Sequence, residues 1–155
     1  MRHTVILLLM NVALAGSIHT LELSTPYPPD WEVTPQDILD AFGPPELAMS
    51  NLMTYVVSYA DLQADVTCWM SGGTLERMSM AFDLADADVS SLRRAFTRVG
   101  KRLRLTYGVP DMITRSRFDY ETHIWYLPGG EMRHQVIYTG GRAEHSLESI
   151  HIRNP

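Results

Sequence analysis

Cysteine is nearly absent from this chain: Cys68 stands alone among 155 residues. No intramolecular disulfide can form, and no multi-thiolate metal centre can be built. Its neighbours Val66, Thr67, Trp69 and Met70 suit a buried, unreactive thiol. Basic charge is also scarce, with 13 Lys and Arg against 18 Asp and Glu and a formal net charge of -5. A domain of that sign lacks the basic footprint that phosphate backbones demand, so no nucleic-acid partner is expected. No long apolar run exists either. The longest, Val5 to Leu14, has about ten residues, too few to cross a bilayer core of roughly 30 Å as a helix. Catalytic motifs are missing as well. There is no Gly-x-Ser-x-Gly elbow, neither Ser71 nor Cys68 has an evident base beside it, and no glycine-rich loop opens a helix. Nucleophilic catalysis and nucleotide cofactors therefore have no motif to rest on, and no cofactor is expected.

What is present begins with an address. Arg2 and His3 precede the apolar run, which closes on Ala13-Leu14-Ala15 followed by Gly16 and Ser17. Small residues at the first and third of those positions are what signal peptidase admits, so residues 1–15 read as a signal peptide and the protein as periplasmic or secreted. No cysteine follows the run to carry a lipid. Residues 16–33 are a proline-rich, extended lead-in. Residues 34–155 then form one domain, since about 140 residues suffice for a single core without staples.

Within that domain the pattern is α+β. Thr34-Pro35 with Asp37 marks a helix start, Ile38, Leu39 and Phe42 give it an apolar face, and Gly43-Pro44-Pro45 stops it. Three strands are predicted near 53–59, 65–71 and 74–82, the last two joined by Gly72-Gly73. From Asp88 onward, Val89, Leu92, Phe96, Val99, Leu103 and Tyr107 recur at spacings of 3 and 4, one face of an amphipathic helix that Gly108 and Pro110 end. Three further strands are predicted near 118–127, 132–139 and 145–153, with turns at Gly129-Gly130 and Gly140-Gly141. The two halves, 34–84 and 88–153, read as one unit used twice: helix, Gly-x-Pro turn, three antiparallel strands, with Trp69 and Trp125 ahead of a Gly-Gly pair. The whole is expected to be an antiparallel sheet built of two α-β-β-β units with the helices on one face.

On those features, the signal peptide, the Gly-x-Pro turns at 43–45 and 108–110 and the meanders carrying Trp69 and Trp125, the chain resembles small exported bacterial α+β proteins of the β-lactamase-inhibitor-like and SmpA/OmlA-like outer-membrane-assembly kind. The resemblance covers most of residues 34–153. It implies a non-enzymatic protein that binds another protein through a sheet face or loops.

Two constellations carry potential chemistry. Arg93, Arg94, Arg98, Lys101, Arg102 and Arg104 place six of the 13 basic residues on the second helix, which holds no acid. Arg94, Arg98, Lys101 and Arg102 share one side, where they can meet an anionic surface or pair with acids of the domain's own body. The second constellation is a histidine-bearing hairpin. A two-residue turn at Gly129-Gly130 sets Trp125 opposite His134, His123 opposite Val136 and Glu121 opposite Tyr138, with His145 beyond Val136 on the same face. Imidazoles with a carboxylate suit zinc or acid/base work, yet this register leaves His123 and His145 roughly 9 to 10 Å apart at the backbone. Leu127, Met132 and Leu147 on that face equally suit a core. The expected function is a non-catalytic exported binding protein of inhibitor or immunity type. Trp125, Tyr126 and Tyr138 would contact a protein partner inside a rim of Arg94, Arg98 and Arg102. The alternative is a small metal-dependent or acid/base hydrolase using Glu121, His123, His134 and His145.

Overall fold

The computed structural model describes residues 21–23, 26, 28, 31–84, 87–116, 119–138 and 143–152. The expected signal segment 1–15 and the Gly140-Gly141 turn lie outside the described residues. Helix α1, Pro35–Phe42, starts on a reciprocal cap: the Asp37 amide donates to Thr34 Oγ1 at 3.3 Å, and the Thr34 amide donates to Asp37 Oδ2 at 2.8 Å. Helix α2, Val89–Tyr107, is capped by Asp88, whose carboxylate accepts from the Ser91 amide at 2.6 Å. Of its predicted apolar stripe, Leu92, Phe96, Val99 and Leu103 are buried, joined by Ala95, whereas Tyr107 is half-buried and Val89, in the first turn, is 52% exposed. Both helices end on a glycine of nearly the same conformation, Gly43 at φ 77, ψ -162 and Gly108 at φ 80, ψ -165. In each case the glycine amide donates back to a carbonyl four residues earlier, Leu39 or Arg104.

The strands are β1 Leu21–Glu22, β2 Leu47–Met49, β3 Leu52–Tyr59, β4 Leu62–Ser71, β5 Thr74–Phe82, β6 Met112–Ser116, β7 Tyr120–Leu127, β8 Gly130–Ile137 and β9 Glu144–His151. They form one sheet in the order β1-β3-β4-β5-β9-β8-β7-β6, with β2 also on β3. All neighbours are antiparallel except β1 with β3. The architecture is thus α+β. Two meanders, β3-β4-β5 and β7-β8-β9, meet along β5 and β9. Directly paired residues share a face of a sheet, and one row runs from β3 to β6: Tyr55, Val66, Met80, Leu147, His134, His123 and Ile113. All but the edge residue Ile113 are buried. Phe42 of α1 meets Tyr55 at a ring separation of 5.2 Å, and Phe96 of α2 meets His134 at 4.1 Å, so both helices cover this one face.

Three expectations are corrected. The β7–β8 turn is Pro128-Gly129, not Gly129-Gly130, because Pro128 presets the first turn residue and Gly129 supplies φ 79 at the second. The register therefore moves by two, setting Trp125 opposite Met132, His123 opposite His134 and Glu121 opposite Val136. The described residues of the proline-rich lead-in pack into the domain and do not stand ahead of it. Leu23, Trp31 and Val33 belong to the core, the Leu23 amide donates to the Ser58 carbonyl at 2.8 Å, and Ser149 Oγ donates to the Pro26 carbonyl at 3.1 Å. Finally, Trp69 and Trp125 do not occupy equivalent places. Trp69 is on β4 beneath the Arg77 guanidinium, 4.6 Å from the ring centre, whereas Trp125 is on β7 in the core.

Candidate functional site

The shifted register brings together the histidines that the sequence singled out. His123, His134 and His145 lie side by side on the covered face of β7, β8 and β9, with exposures of 3%, 0% and 3%. Nε2 of His134 is 2.7 Å from Nε2 of His145, so one ring donates and the other accepts. His123 Nε2 is instead 2.7 Å from Glu121 Oε1. Phe96 enters from α2 between the three rings, stacked on His134 at 4.1 Å and edge-on to His123 at 5.1 Å and His145 at 5.7 Å. Phe82 stacks on His145 from the other side at 4.2 Å.

Burial decides the protonation of the inner pair. It holds the His145 imidazole down to about 3 and that of His134 well below the usual range, and the charges of His145, His123 and Arg104 push His134 the same way. The four candidate metal ligands therefore separate into two pairs, each of which spends its facing atoms internally. Among the described residues no group of three or more His, Cys, Asp or Glu side chains is arranged to hold a metal ion.

His123 and Glu121 reach something the inner pair does not. They form one wall of a cleft of about 410 Å³ between α2 and the β6–β7 edge of the sheet. From α2 come Arg93, Thr97, Gly100 and Arg104; from β6, Arg115 and Ser116; from the end of β7 and beyond β8, Tyr120 and Tyr138. The local folding explains each contribution. Positions 93, 97, 100 and 104 are spaced 4, 3 and 4, a single stripe beside the buried one. Gly100 packs against the sheet, where a β-carbon would stand in ordinary contact, 3.6 Å, with the His134 ring. Arg115 pairs with Glu121 and so shares the covered face. Arg93 lies 5.4 Å above the Tyr138 ring. Burial raises the Tyr138 hydroxyl, while Arg93 pulls it back and Glu121 adds to the rise.

The expected partner-binding residues are distributed over separate surfaces. Trp125 is 1% exposed and its indole N–H donates to the Gly108 carbonyl at 3.0 Å, so it is a core residue. Tyr126, the next residue along the strand, points to the opposite face at 53% exposure. Tyr138 lines the cleft. Arg94 bonds back to Ser90 and Ser91 at 2.7 and 2.8 Å, Arg98 lies exposed, and Arg102 sits 5.5 Å over the Tyr59 ring. The ion pairs formed among the described residues are Arg77 with Glu148, Arg133 with Glu131 and His123 with Glu121. None reaches α2, so pairing of its arginines with the acidic body is not found among the described residues.

Chemically, three guanidinium groups on one cleft provide planar, permanently charged donors for carboxylate or phosphate oxygens. The hydroxyls of Tyr120 and Tyr138 add neutral donors to the same space.

No protein-family model matches the chain, and no curated protein matches it significantly. A solved structure to which it is similar is the crystal structure of a DUF4309 family protein, YjgB, from Bacillus subtilis. The two share 12% identity over 81% of this chain and 84% of that one, with a TM-score of 0.45.

Proposed function

We propose that this chain is a non-catalytic, exported binding protein that captures an anionic group of a partner protein in the cleft between α2 and the β6–β7 edge. The observation that carries this reading is the set of three arginines, Arg93, Arg104 and Arg115, lining one cleft with no acid ion-paired to any of them among the described residues. Titration with citrate, followed through the side-chain N–H resonances of the arginines, tests it. Shifts confined to those three, and suppressed by salt, are expected. Equal shifts at Arg77 and Arg133, or none at the cleft, would refute the reading.

Export rests on the pattern of Arg2, the apolar run and Ala13-Leu14-Ala15. A duplicated ancestry is supported by the matching glycine caps and by one further parallel. The Tyr55 hydroxyl donates to the Gly43 carbonyl at 3.4 Å, as the Trp125 indole does to the Gly108 carbonyl at 3.0 Å, each from the second strand after its helix. On this reading the two units are α1-β2-β3-β4-β5 and α2-β6-β7-β8-β9. The likeness to β-lactamase-inhibitor-like and SmpA/OmlA-like proteins is kept as a proposal on the same features.

A second reading is favoured by one contact. His123 and Glu121, 2.7 Å apart on the cleft wall, pair as a base with the carboxylate that orients it, and the ring nitrogen left to act, Nδ1, is buried, so a substrate would have to uncover it. In a hydrolase of this kind His123 would act and His134 and His145 would not, being sealed beneath Phe96. Turnover of a carboxylic or phosphoric ester panel that is lost in His123→Gln would establish it; no turnover would dismiss it.

A further inference from the structure

We infer that the partner enters this cleft as an extended acidic peptide, added to the sheet as a new strand along β6. The inference rests on the anion-binding reading above and gives its partner a shape. β6 ends the sheet on this side, and among the described residues its outer edge pairs with no strand. An edge of this kind leaves a row of backbone donors and acceptors available to another chain. Folded proteins commonly protect such an edge with proline or with charge on it, and β6, Met112-Ile113-Thr114-Arg115-Ser116, has no proline and a single charge. That charge, Arg115, lies on the cleft side. Two of its apolar side chains are uncovered, Met112 at 43% and Ile113 at 46%.

Strand geometry then dictates the peptide. Side chains of an added strand alternate between faces, and those on one face repeat about every 6.6 Å. A residue opposite Arg115 shares its face and meets its guanidinium group, in a cleft whose α2 wall carries Arg93 and Arg104, which calls for a carboxylate. Two residues away, the same face meets Ile113, which the methylene groups of a second Glu can cover. The other face meets Met112 and Thr114. Acids already stand at both ends of β6, and each has a donor: Asp111 Oδ2 accepts from the Tyr126 amide at 2.7 Å and Asp119 Oδ2 from the Ser116 hydroxyl at 2.7 Å. They confine an acidic peptide to the strand between them. Neither the basic side of α2 nor the apolar edge alone would choose this partner; the edge supplies the backbone ladder and the arginines supply the sign of the side chains.

The test uses fluorescence anisotropy with a dye-labelled heptapeptide alternating Glu and Val, and three relatives: the same residues with all Glu first, a Lys–Val version, and the alternating peptide methylated on every second backbone nitrogen. The alternating peptide should bind at least tenfold more tightly than each relative. Arg115→Glu should weaken it at least tenfold, and amide exchange at residues 112–116 should slow in the complex. Equal binding of the methylated peptide, or unchanged exchange in β6, would overturn strand addition. The citrate titration separates the outcomes: if citrate still shifts the cleft arginines, the anion site survives and only the strand model falls. If citrate fails too, both fall. Methylation alters the peptide alone, so folding of the protein does not confuse that comparison.

Discussion

At the scale of single residues, adjacent positions on β7 have opposite fates. Trp125 and Tyr126 read from sequence as one aromatic patch, but neighbours along a strand point to opposite sides. Trp125→Ala should cost about 3 to 5 kcal/mol of stability, the usual range for a buried aromatic, whereas Tyr126→Ala should leave the denaturation midpoint nearly unchanged. Chemical denaturation of the two variants distinguishes them. The buried imidazoles make a second residue-level prediction. His145 is held near 3 in the folded state against 6.5 when unfolded, so between those values the unfolded chain binds the extra proton. Stability is complete above pH 6.5 and falls as pH drops below it, by about 1.4 kcal/mol per pH unit from His145. His134, shifted the same way, steepens the loss. Asp37 and Asp88, whose carboxyls are held down by their capping hydrogen bonds, contribute only below about their ordinary 3.8. Urea unfolding at pH 7 and pH 5 measures the effect, and a His134→Leu/His145→Leu variant should flatten the profile across that interval.

At the scale of elements, helices were more legible than turns. The bounds of α1 and α2 follow from Thr34, Asp88, Gly43 and Gly108, residues whose conformational or capping preferences are strong. Gly72-Gly73 likewise marks its turn, both residues having positive φ. The Ala60-Asp61 turn has no glycine or proline to mark it, although both residues take positive φ, 52 and 60. The register of β7 and β8 was misread where Gly129-Gly130 outweighed Pro128-Gly129. Gly129 also sits against the N-terminal segment: a β-carbon there would lie 2.8 Å from Trp31 Cδ1. Gly129→Ala should therefore combine a strained φ with a steric clash and lose roughly 2 kcal/mol or more. A change in tryptophan fluorescence should accompany it as Trp31 shifts off His151, on which it stacks at 5.1 Å.

At the scale of the whole molecule, the fold class and both meanders could be read from periodicity and glycine placement, but the cleft could not. The basic helix was evident. Which of its stripes matters depends on where the sheet ends, and β6 is too short and too exposed to announce itself by alternation. Arg93, Thr97, Gly100 and Arg104 were therefore less conspicuous than Arg94, Arg98, Lys101 and Arg102. The proline-rich lead-in was likewise hard to place, because burial of Trp31 and Val33 is a tertiary outcome with no local period. The meeting of the two meanders along β5 and β9 has one more consequence. Its pairs, such as Arg77 with Ile150, join residues far apart in sequence, while each meander is built from consecutive strands. Two chains that open along this seam can exchange halves, each β5 closing on the other chain's β9, and the native contacts outside the β5–α2 connection are retained in an intertwined dimer. Refolding at millimolar concentration should yield such a dimer by size-exclusion chromatography, slow to revert on dilution because reversal requires the seam to open again.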